Sequence, residues 1–311
     1  MVAHVIMEFG TPAQKDFFLP RILTGEVFFC QGYSEPGSGS DLASLQTSAV
    51  ADGDDFICNG SKIWITHAND ANWIFCLVRT AKEDRPQKGI TFLLMPMDSP
   101  GISVQPIIMT SGEHVQNQVF FDNVRVPKAN ALGPVGQGWN VAKYLLEFER
   151  GGPYAPAMQV MADQIARNAA QVPGDATDRL IDDPHFAHKL AALCIRLDVL
   201  EVLEFRLLSE AGEGRSVGAL ASMLKVLGTE LSQKLTHLAL EAAGRPGMAY
   251  QPHATAPGGA IPGYTPPADG HVAGEEWQAL APLRYLNDRA GSIYAGSNEI
   301  QRNILTKHVL G

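Results

Sequence analysis

Residues able to do chemistry are densest between Cys30 and Thr66, in CQGYSEPGSGSD and, past an Asp52-Gly53-Asp54 turn, in DFICNGSKIWIT. Gln31, Tyr33 and Ser34 close an apolar run, EVFFC, that reads as a buried strand. Gly37, Ser38, Gly39, Ser40 and Asp41 follow, and such small residues let backbone N–H groups and hydroxyls approach a ligand closely. A second strand ends in Trp64-Ile65-Thr66, which adds an aromatic wall and a hydroxyl. Together these groups can hold a planar cofactor. The same pattern also suits a plain β-domain with a polar loop and Trp64 in its core.

The elements that must position these residues fall into three stretches. Residues 1–25 are helical in tone: MVAHVIMEFG ends on a glycine stop, and TPAQKDFFLPRILTG opens with Thr11 as N-cap and Pro12 at the first helical position. Residues 26–135 read as short strands bounded by Gly, Pro, Asp or Asn, the mark of a compact antiparallel barrel or sandwich. Residues 136–311 carry apolar residues at helical spacing in long runs with short breaks, the pattern of a helical bundle. A Gly/Pro-rich stretch, 244–274, interrupts that bundle and reads as a surface loop. A last helix is expected from about Glu275, with a further turn after Gly296-Ser297.

Composition narrows the function. With 311 residues, 45% of them hydrophobic, the chain is long enough for a large core and more than one domain. A net charge of −9 argues against nucleic-acid binding, which needs a basic stripe. The four cysteines (Cys30, Cys58, Cys76 and Cys194) show no CxxC or CxH pairing, so neither a zinc site nor a disulfide framework is indicated. Thiols in apolar runs suit a reducing compartment, and a cytoplasmic location is expected. No run approaches a membrane span. His185 and His188 stand three apart on a helix with no third ligand nearby, so a solvated face is expected rather than a metal site.

The wording of the first two segments is specific. YSEPGSGSD followed by NGSKIWIT resembles the paired flavin-contact motifs of the acyl-CoA dehydrogenase family, usually TEPxxGSD and NGxKxWIT. Near the C-terminus, SIYAGSNEIQRNILT resembles that family's IYEGTSEIQRNII signature. The resemblance implies an α+β fold: an N-terminal helical piece, a middle antiparallel β-domain and a C-terminal four-helix bundle, with FAD between the last two. Family members open with a full helical domain, of which only the last helices resemble residues 1–25. The sequence therefore reads as truncated or as having lost that domain.

The resemblance also implies a reaction, the α,β-desaturation of an acyl-CoA. A carboxylate removes the α-hydrogen as a proton, and the β-hydrogen passes as hydride to the flavin. An unactivated α-C–H is a very weak acid, so the base must sit in a dry pocket that raises its pKa. Donors to the thioester oxygen must stabilise the charge that develops there. The usual base is the Glu of IYEGT, and Ala295 stands in its place. One branch of the family carries its base on the first bundle helix just before an Arg, and YLLEFER offers Glu149-Arg150 there.

Glu149 shares a helix face with Ala142 and roughly with Leu145 and Leu146, apolar neighbours that suit a desolvated base. Read from the helix alone, it is equally a carboxylate near a helix C-terminus, where the dipole disfavours it. Glu147, four residues after Lys143, can instead pair with it at the surface. Arg150 matches a position that meets the CoA moiety, or it simply caps the helix. Glu147 and Phe148 match neighbouring substrate-side positions.

Carried over residue by residue, the flavin contacts are Gln31, Tyr33, Ser34, Gly39, Ser40, Trp64, Ile65, Thr66, Ser297, Asn298 and Glu299. Ser40 and Gly296 also face the acyl-CoA, and Ser297 keeps the hydroxyl of the usual Thr. The RxxFG motif through which a neighbouring subunit meets the flavin pyrophosphate has no counterpart in ARNAAQVPGDATDRLIDDPHF. That departure, and the wording CQGYSEPGSGSDLASL, resemble the steroid side-chain and pimeloyl-CoA dehydrogenases, some of which are heteromers. The expected substrate is a branched, bulky or dicarboxylic acyl-CoA. The expected electron acceptor is an electron-transfer flavoprotein, and the expected assembly a homo- or hetero-oligomer. The alternatives are a partner subunit that is inactive alone and a flavin oxidase or monooxygenase on the same fold.

Overall fold

A computed structural model describes residues 2–150, 153–215, 217–256, 263–266, 268 and 270–311, with only the backbone for residues 147–150 and 309. Two compact units emerge. One comprises residues up to Met109 with His114–Glu149; the other comprises Thr110–Glu113 with Arg150–Gly311.

The first unit opens with helices Val2–Phe9 (α1) and Pro12–Leu23 (α2). Thr11 caps α2 through a capping box with Gln14, as the Thr-Pro opening predicts. The Gln14 amide then reaches the carbonyls of Ala129 and Ala131 at 2.9 and 3.0 Å, tying the helix to the strands. Seven strands follow: Phe29–Gly32 (β1), Ser48–Asp52 (β2), Asp55–Thr66 (β3), Trp73–Arg79 (β4), Ile90–Pro96 (β5), Ile102–Ile108 (β6) and His114–Pro127 (β7). They form one sheet in the order β1-β4-β2-β3-β7-β6, with β5 antiparallel to β4. Most pairs are antiparallel as expected, but β1 joins β4 in parallel, so the sheet is mixed.

Strands β4 and β5 lack the polar–apolar alternation of a half-exposed strand because both their faces are covered. Phe75, Leu77, Phe92 and Leu94 point into a core shared with α1 and α2. Ile74, Cys76, Leu93 and Met95 point into a second core that also buries Cys30 and Cys58. Helix Gly138–Arg150 (α3) packs on the first core through Val141, Ala142 and Leu145.

The second unit is helical: Ala155–Ala169 (α4), Pro184–Gly212 (α5), Gly218–Ala243 (α6), Glu276–Asp288 (α7) and Asn298–Leu310 (α8). Leu190, Leu197, Leu224, Leu231 and Leu235 fill its core. The buried carboxylate of Glu204 on α5 accepts the backbone N–H of Ala155 at 3.1 Å, satisfying an amide left open at the start of α4. Within the stretch expected to be loop, Thr255–Ala256 (β8) and Gly263–Tyr264 (β9) pair as a short antiparallel ladder.

Candidate active site

In the first unit, the two motif segments are joined from beneath by a buried ion pair. Lys62 of β3 is fully buried; its ammonium donates to Glu35 at 2.8 Å and to the Tyr33 carbonyl at 3.0 Å. Glu35 also accepts the backbone N–H groups of Gln46 and Thr47, at 2.6 and 2.8 Å. The Ile63 N–H reaches the Ser34 carbonyl at 2.9 Å, so the SEPG turn is stitched to β3 at three points. Burial alone would raise the Glu35 carboxyl, but Lys62, Thr47 and Gln46 hold it below its ordinary value. Burial lowers the Lys62 ammonium, with Glu35 opposing that shift. The sequence reading passed over this pair. Its signal was the period-two run Phe56, Cys58, Gly60, Lys62, which carries a lysine to the inward side.

A bulge between Lys62 and Ile65 then sets Trp64. Strict alternation would send Lys62 and Trp64 to the same side; the extra residue turns Trp64 out and Ile65 in. Trp64 is 62% exposed with φ +61°, and Ile65 is 1% exposed. The core placement that pattern alone allowed for Trp64 is thereby excluded. A tryptophan in left-handed backbone is strained, and such strain persists only where the surroundings impose it. His67, next along, shares the left-handed conformation and bonds Asp70 at 2.9 Å.

The other expected contacts in this unit divide by what is left free. Gly39, Ser40 and Thr66 are exposed, while Gln31 and Ser34 are half-buried. Nothing lies within 4 Å of where a Cβ on Gly37 or Gly39 would be, so the turn is open on that side. The Tyr33 ring lies edge-on to Phe75 and Phe92 in the core, and the Ile65 side chain is core as well. Both leave only main chain for a ligand. Thr66 accepts from the Gln116 amide at 2.9 Å, and the buried Gln116 Oε1 has no partner of its own.

In the second unit, the C-terminal motif is a left-handed turn: Ala295 has φ +53° and Gly296 φ +79°. The Gln301 amide donates to both carbonyls, at 3.3 and 3.2 Å, and would collide with any Cβ on Gly296. Ser297 caps α8 by accepting the Ile300 N–H, and Glu299 is exposed in the first helical turn. Its own amide and Ser297 draw the Glu299 carboxyl below its ordinary value. Asn298 is directed inward. Its Oδ1 accepts from Lys225 at 2.9 Å and Thr229 at 3.2 Å, and Lys225 is itself buried. The side chains of Glu147, Phe148, Glu149 and Arg150 lie outside the described residues; their backbone forms the last turn of α3, one turn beyond Leu145.

Among the described residues no three His, Cys, Asp or Glu groups are placed to hold a metal ion, and no helix is long and apolar enough to cross a membrane.

Two family models match in tandem: the acyl-CoA dehydrogenase middle domain over residues 30–124, and its C-terminal domain over residues 136–310. Acyl-CoA dehydrogenase IpdE1 of Mycobacterium tuberculosis is 36% identical over 318 residues, spanning 100% of this chain and 74% of the relative. The crystal structure of the ChsE4–ChsE5 complex from Mycobacterium tuberculosis shares 31% identity at a TM-score of 0.83, over 100% of this chain and 75% of that one. The steroid ACAD Tcur3481–Tcur3483 shares 28% identity at a TM-score of 0.85, over 100% and 74%. The chain belongs to the acyl-CoA dehydrogenase family. It is an oxidoreductase acting on CH–CH groups, and its cofactor is FAD.

The geometry fits that cofactor. Within the first unit a flat indole stands exposed on an imposed bulge, open space faces the Gly37–Gly39 turn, and the Gln116 oxygen lacks a partner.

Proposed function

We propose that the chain desaturates a branched, bulky or dicarboxylic acyl-CoA, with Glu149 as the base that takes the α-proton. The observation that carries this reading is the Ala295-Gly296 turn. Its methyl group stands where the motif usually carries the base, while Glu149-Arg150 ends a helix whose other turns are anchored in an apolar core. In the sequence Glu149 follows Ala142 and Leu145 at helical spacing, and the reaction needs its base in a dry pocket. Ser40 and Gly296 would meet the thioester portion, and Arg150, with Glu147 and Phe148, the remainder of the acyl-CoA.

Gln31, Ser34, Gly39, Ser40, Trp64 and Thr66 would hold FAD from the first unit, with main-chain contacts from Tyr33 and Ile65. Ser297, Asn298 and Glu299 would contribute from the α8 end, Asn298 through its main chain. FAD, when bound, supplies the hydride acceptor; this chain's residues supply binding, orientation and proton removal. The names of the relatives, a steroid ACAD among them, support a bulky substrate. Two of the structural neighbours are two-component complexes, which supports an oligomer in which a homologous chain completes the flavin site. An electron-transfer flavoprotein is the proposed acceptor.

The test is an anaerobic visible spectrum of the FAD-loaded protein before and after a panel of acyl-CoAs. Bleaching by steroid-type or branched thioesters, slowed about 10²–10⁴-fold in Glu149→Gln with flavin content kept, is expected. Equal bleaching by the variant removes the base assignment, and a preference for short straight chains removes the substrate class. Flavin that binds only on co-expression with a homologous chain favours the partner-subunit reading.

A further inference from the structure

Two residues at the end of β3 hold left-handed backbone, Trp64 at φ +61° and His67 at φ +57°. Bulky side chains adopt that conformation only under constraint. The constraint comes from across the ladder, on β7. Lys62 pairs with Val119 and Ile65 with Asn117, so β3 sets three steps against two and the extra residue forms the bulge. Asn117 thus stands opposite the first residue after Trp64.

Asn117 has no exposed surface, and both ends of its side chain are hydrogen-bonded. Its amide N–H groups reach the Ile65 carbonyl at 3.1 Å, Asn69 Oδ1 at 3.0 Å and the Val115 carbonyl at 3.2 Å. Its oxygen meets His114 Nε2 at 2.7 Å. Backbone carbonyls can only accept, so one orientation of the amide serves Ile65 and Val115, and His114 must donate its N–H to the oxygen. The His67 N–H closes on the same Val115 carbonyl at 2.8 Å. One buried amide therefore ties together the exit of the bulge, the turn after His67 and the facing strand. A leucine would fill the volume and make none of these bonds. An amide is tolerated in such a place only because its groups are paired, so what it provides is geometry rather than apolar burial.

We infer that Asn117 is the positioning residue of the Trp64 indole. It fixes the bulge that turns the ring outward, and His114 fixes Asn117. The inference rests on the reading that the indole lies against FAD. Asn117 is enclosed beside Ile65 and acts through the Ile65 carbonyl. Loss of the amide frees that carbonyl and lets Trp64 relax out of its strained conformation, and the indole loses its fixed plane.

The test is a thermodynamic cycle in FAD affinity, read by flavin fluorescence on the full chain, for the native protein, Asn117→Ala, Trp64→Gly and the double variant. Asn117→Ala should weaken FAD about tenfold in the native background and less than about twofold in Trp64→Gly, where no ring is left to position. General loosening of the β-domain would instead weaken binding equally in both backgrounds. His114→Ala removes only a half-buried ring and keeps the cycle measurable should Asn117→Ala unfold. It should weaken FAD about threefold, again only where the indole is present. A loss that persists in Trp64→Gly, or native affinity in His114→Ala and Asn117→Ala alike, overturns the inference and leaves the indole contact standing. Native affinity in Trp64→Gly overturns the contact itself, and the inference with it.

Discussion

Two buried lysines, one in each unit, stand behind the motif residues and are held in different ways. Lys62 meets a carboxylate, Glu35, which is in turn saturated by two backbone amides. Among the described residues Lys225 hydrogen-bonds the neutral oxygen of Asn298, an oxygen that Thr229 also serves. Burial lowers the ammonium pKa of both; Glu35 opposes that shift for Lys62, and the more distant Glu299 does so for Lys225. The first arrangement is an ion pair in which each charge depends on the other. The second is a cation whose partner has a substitute donor. Motif geometry in the β unit therefore hangs on one charge pair, whereas in the helical unit it is spread over Gln301, Thr229 and the Ser297 cap.

That contrast can be broken most sharply at Lys62. Lys62→Met strands Glu35 as an uncompensated buried charge and should destabilise the chain by about 3–5 kcal/mol in denaturant unfolding. It should also lower flavin occupancy, because the SEPG turn loses its anchor. A loss below about 1 kcal/mol would show that the pair does not organise the turn.

Acid titration separates the two regions next. The folded pKa of Glu35 lies below the ordinary 4.5, so its stabilising contribution is present above that value and is lost as pH falls through the folded pKa. Asp288, on α7, has the opposite sign. Burial, only partly offset by the hydroxyls of Ser232 and Thr236 and by Arg289, raises its carboxyl above 3.8. Its cost is present above the raised pKa and is relieved as pH falls through it. Glu35→Gln should thus flatten the acid limb of the stability–pH profile, and Asp288→Asn should steepen it. Identical profiles for the two variants would erase the distinction.

Trp64 offers a smaller and more local effect. Trp64→Gly should be more stable than Trp64→Ala by about 1 kcal/mol, because glycine relieves the left-handed backbone. Both should bind FAD more weakly than the native chain in a fluorescence titration. Unchanged affinity would make the exposed indole incidental.

The smallest change is expected at Lys225. Lys225→Met removes a buried cation while Thr229 keeps the Asn298 oxygen bonded, so stability should move by no more than about 1 kcal/mol. A loss as large as that of Lys62→Met would mean that the two lysines carry equal loads.

Much of the architecture was legible because it follows local rules. The Thr11-Pro12 start of α2, the long apolar periodicities of α5 and α6 and the glycine-bounded strands all depend on neighbours in sequence. The motif wording went further, to family and cofactor. It did not show what each motif residue does with its side chain. Tyr33 and Asn298 match flavin positions, yet one ring packs in the core and the other amide turns into the helical unit. The parallel pairing of β1 with β4 was invisible for a related reason. Pairing direction is decided by a partner more than forty residues away, not by the composition of either strand.

By itself the sequence determined the chain's class: the order of helices, strands and helices, the flavin motifs, and an alanine, Ala295, where the motif usually has glutamate. Each is written in contiguous residues whose types limit backbone and chemistry. Only the tertiary structure decided which side each residue faces. A one-residue bulge turned Trp64 out of the core, and a turn beneath it brought Glu35 to Lys62 across 27 residues. The physical reason is that a side of a strand is a two-way choice, and the ladder partner makes it. A buried charge is tolerable only when a distant segment arrives to pair with it.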